Sequence, residues 1–296
     1  MEPLVYANCQ FCGSNTHRHL HTIAGFKDDP RKFRVVACEI CGLVFINPRY
    51  SEQANLKLYE ESYYTDQVKD PSGVVRNFIS DKDNKIIDHL LELGHLKKFK
   101  KNGRILDFGS GPGFFLEVLD GAWEKYAVDI SDFAIKSIQN PAVVKSQGSL
   151  LEAGFNDDFF DAIYIGHTLD RLTNLKENLK ELRRILKPDG IILVVTPNID
   201  SMCARVFKGK YRLLYANHLI HFSPSTVRMF LDEAGFRVLD VKYPFFSSSV
   251  FTYSGFFLGT VKILLQGLLN ILKIPWKMLS PPYHGNIMSI IVSKNL

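Results

Sequence analysis

Two carboxylates and three glycines are the first residues in this chain whose types and spacing could do chemistry. In the stretch ILDFGSGPGFF, Asp107 closes an apolar run and Gly109, Gly111 and Gly113 follow it. Asp129 stands twenty residues after Gly109, at the end of a second run, KYAVD. A strand, a glycine turn and a helix bring backbone N–H groups close to a nucleotide-like ligand. A dinucleotide turn, G-x-G-x-x-G, would need glycine at 114, where the chain has Phe114. A Walker loop would need Lys-Ser/Thr after its last glycine, and none follows. A carboxylate at Asp107 would repel a pyrophosphate on the turn and attract an ammonium group. S-adenosylmethionine (SAM) carries such an ammonium and no phosphate. Asp129 is placed to accept bonds from both ribose hydroxyls. The glycines alone only permit a close-approaching cofactor, and Asp107, Phe114 and Asp129 together select SAM.

A second constellation lies near the N-terminus. Cys9-x2-Cys12 and Cys38-x2-Cys41 are each followed by a glycine, Gly13 or Gly42, which lets backbone N–H groups turn back toward the thiolates. Two such knuckles supply four soft ligands for a tetrahedral ion, zinc first and a single iron as the alternative. Four protein ligands leave no open position, so the expected role is structural, and a region of about fifty residues needs such a staple to fold. His17, His19 and His21 alternate along a strand and read as a solvated face. An odd count of five cysteines argues against a disulfide framework, and the N-terminus shows no secretory signal, so the expected compartment is the cytoplasm.

Methyl transfer requires an aligned acceptor and, for a hydroxyl, a group that takes its proton. His167, Asp170, His218 and His221 are the candidates, in "GHTLDRL" and "NHLIHFSP". Arg171 could bind an anionic group of the acceptor.

These residues need a frame. RILDF, KYAVD, AVVK, DAIYIG, GIILVVTP, FRVLDVKY and NIMSIIVSK read as seven strands alternating with helices, among them SDFAIKSIQ capped by Ser131. TNLKENLKELRRILK places Leu175, Leu179, Leu182, Ile185 and Leu186 on one helix face, and Ser223-Pro224 opens another helix. The expected fold is α/β, a doubly wound, mostly parallel seven-stranded sheet with a small N-terminal zinc-ribbon-like module. The expected divisions are a zinc module over 1–50 and a helical cap over 51–100. The SAM-binding domain takes 101–243 and 286–296, and an apolar insertion takes 244–285. Tyr59, Tyr63 and Tyr64 lie in a stretch that could cross a cleft.

The motifs resemble those of the class I SAM-dependent methyltransferases, over roughly residues 75 to 243 and the last strand. "ILDFGSGPG" looks like their first motif and "YAVDIS" like their second. "DDFFDAIYIGHTLDRL" and "LKELRRILKPDGIILVVTPN" look like later ones. The resemblance implies a Rossmann-like fold in which Asp107, Gly109, Ser110, Gly111 and Gly113 hold the methionine part of SAM and Asp129 holds the ribose. Ile130 and Leu150 would flank adenine, with Ser149 where many relatives carry an adenine-facing Asp. His167 would face the transfer cleft. "CGLVFINP" resembles the N-terminal zinc module of sugar and small-molecule methyltransferases, whose His-x-x-His-Phe-Ser stretch lies near the acceptor.

The segment 255–278 is apolar apart from Lys262, Gln266, Asn270, Lys273 and Lys277, which fall within a sector of about 80° on a helix. It reads either as a helix lying in a membrane interface, lysines toward headgroups and Trp276 at the boundary, or as one buried against the domain or a dimer mate. The net charge of +5 and pI near 8.8 permit an acidic substrate or surface, and the zinc module has no Lys/Arg stripe for nucleic acid. The sequence thus reads as a SAM-dependent methyltransferase acting on a small molecule, a sugar or lipid-linked glycan precursor, at oxygen, with carbon or nitrogen as alternatives. It would work in the cytoplasm or at the inner face of the membrane, and a homo-oligomer is compatible. An RNA methyltransferase and a SAM-binding scaffold without turnover are the rivals.

Overall fold

Seven strands form the central sheet: β1 (Gly103–Phe108), β2 (Trp123–Asp129), β3 (Val143–Gln147), β4 (Phe160–Gly166), β5 (Leu186–Pro197), β6 (Phe236–Lys242) and β7 (Ile287–Lys294). Their order in this computed structural model, which describes residues 3–27, 29–69, 75–274 and 279–295, is β3-β2-β1-β4-β5-β7-β6. β7 runs antiparallel to both β5 and β6, and the other pairs are parallel. The order reverses between β1 and β4. In such sheets the crevice at the carboxyl ends, at this switch point, is where ligands bind. Asp107 on β1, Asp129 on β2 and His167 after β4 all reach that edge. One buried cluster fills the face holding Leu106, Ile163 and Leu182, and another the face holding Ile105, Leu116 and Leu193. β5 is buried on both sides from Ile191 to Pro197, which is why its sequence is apolar without alternation.

Two local features shape the connections around the sheet. The helix after the glycine turn covers only Phe114–Glu117, with Val118 as its C-cap. Lys187 to Gly190 do not simply end a helix. Leu186 already pairs with Phe160, residues 187–190 bulge outward, and Ile191 resumes the ladder against Ala162. The caps hold as read. Ser131 accepts from the Ala134 N–H at 3.3 Å, and Ser223 and Thr226 form a reciprocal capping box before Pro224–Glu233.

The N-terminal strands His17–Ala24, Lys32–Cys38 and Val44–Ile46 form an antiparallel sheet whose fourth strand is Ile220–His221. Ile220 pairs with Phe45 and His221 with Val44. Cys9, Val36, Cys38 and Phe45 share one buried cluster with Leu106 and Phe108 of the large sheet's β1. The histidine face is corrected by a bulge between His19 and His21. His17 packs edge-on against Phe45 at 5.9 Å, His21 is half-buried, and His19 alone is exposed, its Nε2 3.1 Å from the Thr22 hydroxyl.

Residues 51–100 contribute the helices Glu52–Lys57, Glu61–Thr65 and Lys82–Leu96. The apolar segment forms one helix, Tyr253–Ile271, long and apolar enough by composition to cross a membrane. Both its ends return to the same sheet, since β6 precedes it and β7 follows it. Its apolar side is turned outward rather than buried against the domain. The polar stripe faces the protein: Gln266 is buried and donates to Asn270 Oδ1 at 2.9 Å, and Asn270 donates to the Val206 carbonyl at 2.8 Å. Trp276 and Lys277 lie outside the described residues.

Candidate functional site

A cleft of about 920 Å³ opens at the switch point. Its floor is the glycine turn. Gly109 has φ +76°, and a Cβ there would come within 2.2 Å of the Thr168 hydroxyl. Gly111, at φ +51°, leaves its Cα face open toward Tyr64 and Phe78, 3.8 Å from where a Cβ would stand. The turn is therefore bare backbone because one side is filled by protein and the other is reserved.

Asp107 is 1% exposed, and its Oδ2 has no hydrogen-bond partner. Burial, then the neighbouring Asp129 and Glu92, push its carboxyl well above the usual range. An orphaned, charge-crowded carboxylate at this point fits an ammonium ligand. The Asp129 carboxylate accepts the Gly111 N–H at 2.8 Å through Oδ2 and the Ser131 N–H at 2.8 Å through Oδ1. Those bonds fix its direction and leave lone pairs for hydroxyl donors. Ser110, Ile130, Ser149 and Leu150 line the same cleft. Ser149 donates to the Glu152 carboxylate at 2.6 Å through its hydroxyl and at 3.0 Å through its N–H. Gly113 lies outside the lining, at φ +82° against Ile138, where it starts the short helix.

The helix Lys82–Leu96 adds acids that sequence reading missed. Tyr164 donates to Glu92 Oε2 at 2.6 Å, and His89 Nδ1 lies 2.8 Å from the same oxygen. The Asp88 carboxylate accepts the Ser249 N–H at 2.8 Å and hydroxyl at 2.9 Å, and burial raises its pKa. The only signal was Asp88 and Glu92 at i and i+4, a spacing that usually marks a solvated face. Asp88, Glu92, Asp107 and Asp129 give half of the cleft an excess of acid. SAM, with an ammonium and a sulfonium, is the kind of ligand such a half would hold.

The other half is built around Arg171. Its Nη1 donates to the Tyr63 hydroxyl at 2.8 Å, and its guanidinium lies 5.4 Å over the Tyr59 ring. Tyr59, Tyr63 and Tyr64 all line the cleft, with Phe78, Arg212 and Asn217. His167 also lines it and has φ +55°, a costly conformation for a side chain of this size. Burial lowers the His167 pKa to about 4, so the ring is neutral at neutral pH. Asp170 and His218 come together: Nδ1 stands 3.0 Å from Oδ2, an ion-pair distance without an aligned hydrogen bond. Burial would raise the Asp170 pKa, but His218 pulls it below the usual range. Burial lowers the pKa of His218 more than Asp170 raises it. His218 lines the cleft, whereas Asp170 and His221 stand behind it. His221 lies 6.3 Å from the His218 ring, and burial holds its pKa down to about 3.

The four cysteines are gathered with all sulfurs within 4.8 Å of one another, and Cys9–Cys41 and Cys12–Cys38 are each 3.5 Å apart. Tetrahedral zinc with Zn–S of about 2.3 Å needs sulfurs about 3.8 Å apart. The set therefore fits a zinc module. The N–H groups of Phe11 and Cys12 point at the Cys9 sulfur, and those of Ile40 and Cys41 at Cys38. The knuckle touches the acceptor side of the cleft: Gln10 donates to the Leu172 carbonyl at 3.0 Å, and Phe11 packs on Phe230 at 5.1 Å.

Fold and cleft together define a SAM-dependent methyltransferase. The family model described as "Methyltransferase domain" matches residues 66–241, well over half of the chain, and the protein belongs to that family. Among curated relatives, an uncharacterised protein of Methanocaldococcus jannaschii is 29% identical over 161 residues, covering 54% of this chain and 67% of its own. A ubiquinone/menaquinone biosynthesis C-methyltransferase of Proteus mirabilis is 25% identical over 170 residues, covering 46% and 67%. Among solved structures, a SAM-dependent methyltransferase of Archaeoglobus fulgidus is 20% identical with a TM-score of 0.52, covering 73% of this chain and 99% of its own. At that identity the likeness concerns the fold. The alternative of a SAM-binding scaffold without turnover gives way to the enzyme.

Asp107→Asn removes a buried charge that no protein group satisfies. Its folded-state pKa is raised, so ionisation costs stability as the pH rises through that pKa. The variant is expected to be more stable than the parent without ligand at pH 8, by about 1–3 kcal/mol, and less active at limiting SAM. Thermal unfolding and a methyl-transfer assay check both. Stripping metal with a strong chelator is expected to lower the melting temperature. A loss of even about 3 kcal/mol corresponds to roughly 6–12 °C, read by calorimetry before and after zinc is restored.

Proposed function

We propose that this enzyme methylates an oxygen of a small acceptor that carries an anionic group, a sugar or a lipid-linked glycan precursor. The observation that carries this reading is that His218, backed by Asp170, lines the same cleft as Arg171. When bound, SAM supplies a methyl group already activated on a sulfonium. The chain's residues then have four tasks. Asp107 receives the ammonium and Asp129 the ribose hydroxyls. Ile130, Ser149 and Leu150 flank the adenine. Arg171, braced by Tyr63, binds the acceptor's anionic group. His218, with Nδ1 toward Asp170 and Nε2 left for the cleft, takes the hydroxyl proton. Asp170 orients the ring and stabilises the imidazolium, and His221 supports it from behind. His167 serves as a neutral wall at the end of β4.

A second reading, methylation at carbon on a hydroxylated ring, draws on the aromatic wall of Tyr59, Tyr63, Tyr64 and Phe78 and on the C-methyltransferase named above. The same base would ionise the ring hydroxyl. Zinc on Cys9, Cys12, Cys38 and Cys41 would be structural, holding the strand that carries His221 and, through it, His218.

Incubation with methyl-labelled SAM and fractionated polar, lipid and RNA extracts tests the reading. Label is expected on oxygen in a polar or lipid fraction, and label confined to RNA would contradict it. With that acceptor, the rate should fall on acidification below pH 6.5, because the His218 pKa is lowered and only its neutral form accepts a proton. His218→Asn should lower the rate by about 10²–10⁴ and remove that acid limb.

A further inference from the structure

The helix Tyr253–Ile271 is amphipathic in the wrong sense for a soluble surface. The middle of its polar stripe meets the protein body, where Gln266 is buried and burial lowers the Lys262 pKa, while Lys273 at its end stays exposed. The opposite side is apolar and open: Phe257 is 67% exposed, Leu264 69% and Ile271 78%, with Leu258, Val261 and Leu268 between them. Met202 on the adjoining helix and Phe246 at the helix's approach extend the patch. Scattered apolar residues on a surface need no explanation, but a contiguous stripe along about four helical turns does.

The charge around the patch indicates what covers it. No Asp or Glu occurs from residue 201 to 231 or from 241 to 296. Exposed Lys208, Lys210 and Lys273 lie on the ledge and end of the helix. A symmetric second copy would set two cationic rims against each other, whereas an anionic bilayer would meet apolar residues and lysines together. The patch is also continuous with the cleft. Tyr283 and Phe245 line the cleft, Tyr283 stacks on Phe256 of the helix at 5.2 Å, and its hydroxyl lies 2.9 Å from that of Thr260.

We infer that the helix lies flat on an anionic membrane surface, its apolar side among the acyl chains, and holds the mouth of the cleft at the lipid boundary. The helix does not cross, because the chain returns from it into β7. The docking is independent of the acceptor's identity, and a lipid-linked acceptor would gain from it.

The full chain, metal intact, is sedimented with vesicles of phosphatidylcholine alone or mixed with phosphatidylglycerol. Binding is expected with the mixed vesicles, weakening as salt rises, and little with the neutral ones. Leu264→Glu with Leu268→Glu, both changes on the exposed side, should cut binding at least about tenfold while leaving SAM affinity unchanged. That unchanged affinity keeps a folding failure distinct from a docking failure. Equal binding to both vesicles, or none to either, would overturn the inference. So would a dimer by light scattering that the double substitution converts to monomer, since a second copy would then cover the patch. None of these outcomes bears on methyl transfer to a water-soluble acceptor, which is read separately.

Discussion

The carboxyl of Asp107 is the constraint on which the site depends. It is sealed at the end of β1 with one oxygen unpartnered and two further carboxylates raising its pKa. Such a group is costly in the free protein and becomes favourable only when a cation arrives. The rest of the donor side serves that arrangement. Thr168 fills the space beside Gly109, so the turn must stay bare. Gly111 ties the Asp129 carboxylate to the turn, so the residues proposed for the amino-acid and ribose ends are linked by one piece of backbone. The acids of the helix Lys82–Leu96 extend the negative field across the side where a sulfonium would lie.

The acceptor side depends on a different connection. The N-terminal sheet takes its last strand from Ile220–His221, and its knuckle touches Leu172. Both segments adjoin the residues that would act on the acceptor, Asp170, Arg171 and His218. A structural metal in this protein would thus do more than staple a small module. It would hold in register the strand that follows His218, and any loosening of the cysteine site should be felt as a misplaced base.

The donor half was legible in the sequence because its signals are local. Asp107, the glycine spacing and Asp129 lie within one strand–turn–helix–strand unit, and the paired cysteines lie on two short loops. The strands were legible for a similar reason: β5 carries a continuous apolar run from Ile191 to Val195, as a strand buried on both faces does. The acceptor half is assembled from distant pieces. Asp170 and His218 meet only because the N-terminal sheet draws Ile220–His221 toward the end of β4, and no periodicity encodes that. Asp88 and Glu92 resembled a solvated helix face, since spacing shows which residues share a side but not which side is covered. The helix Tyr253–Ile271 shows the same limit. Its stripe was evident, and its direction depended on the Asn270 bond to Val206.

The central claim is that Asp107 holds the amino-acid end of the methyl donor. The direct measurement is calorimetric binding of S-adenosylhomocysteine and of methylthioadenosine, which lacks the amino acid, to the parent enzyme and to Asp107→Asn. A charged hydrogen bond of about 1.5–3 kcal/mol corresponds to roughly a 10- to 150-fold change in affinity. The account predicts a loss of that size for S-adenosylhomocysteine and no change for methylthioadenosine. Equal losses for both ligands, or none for either, would contradict it.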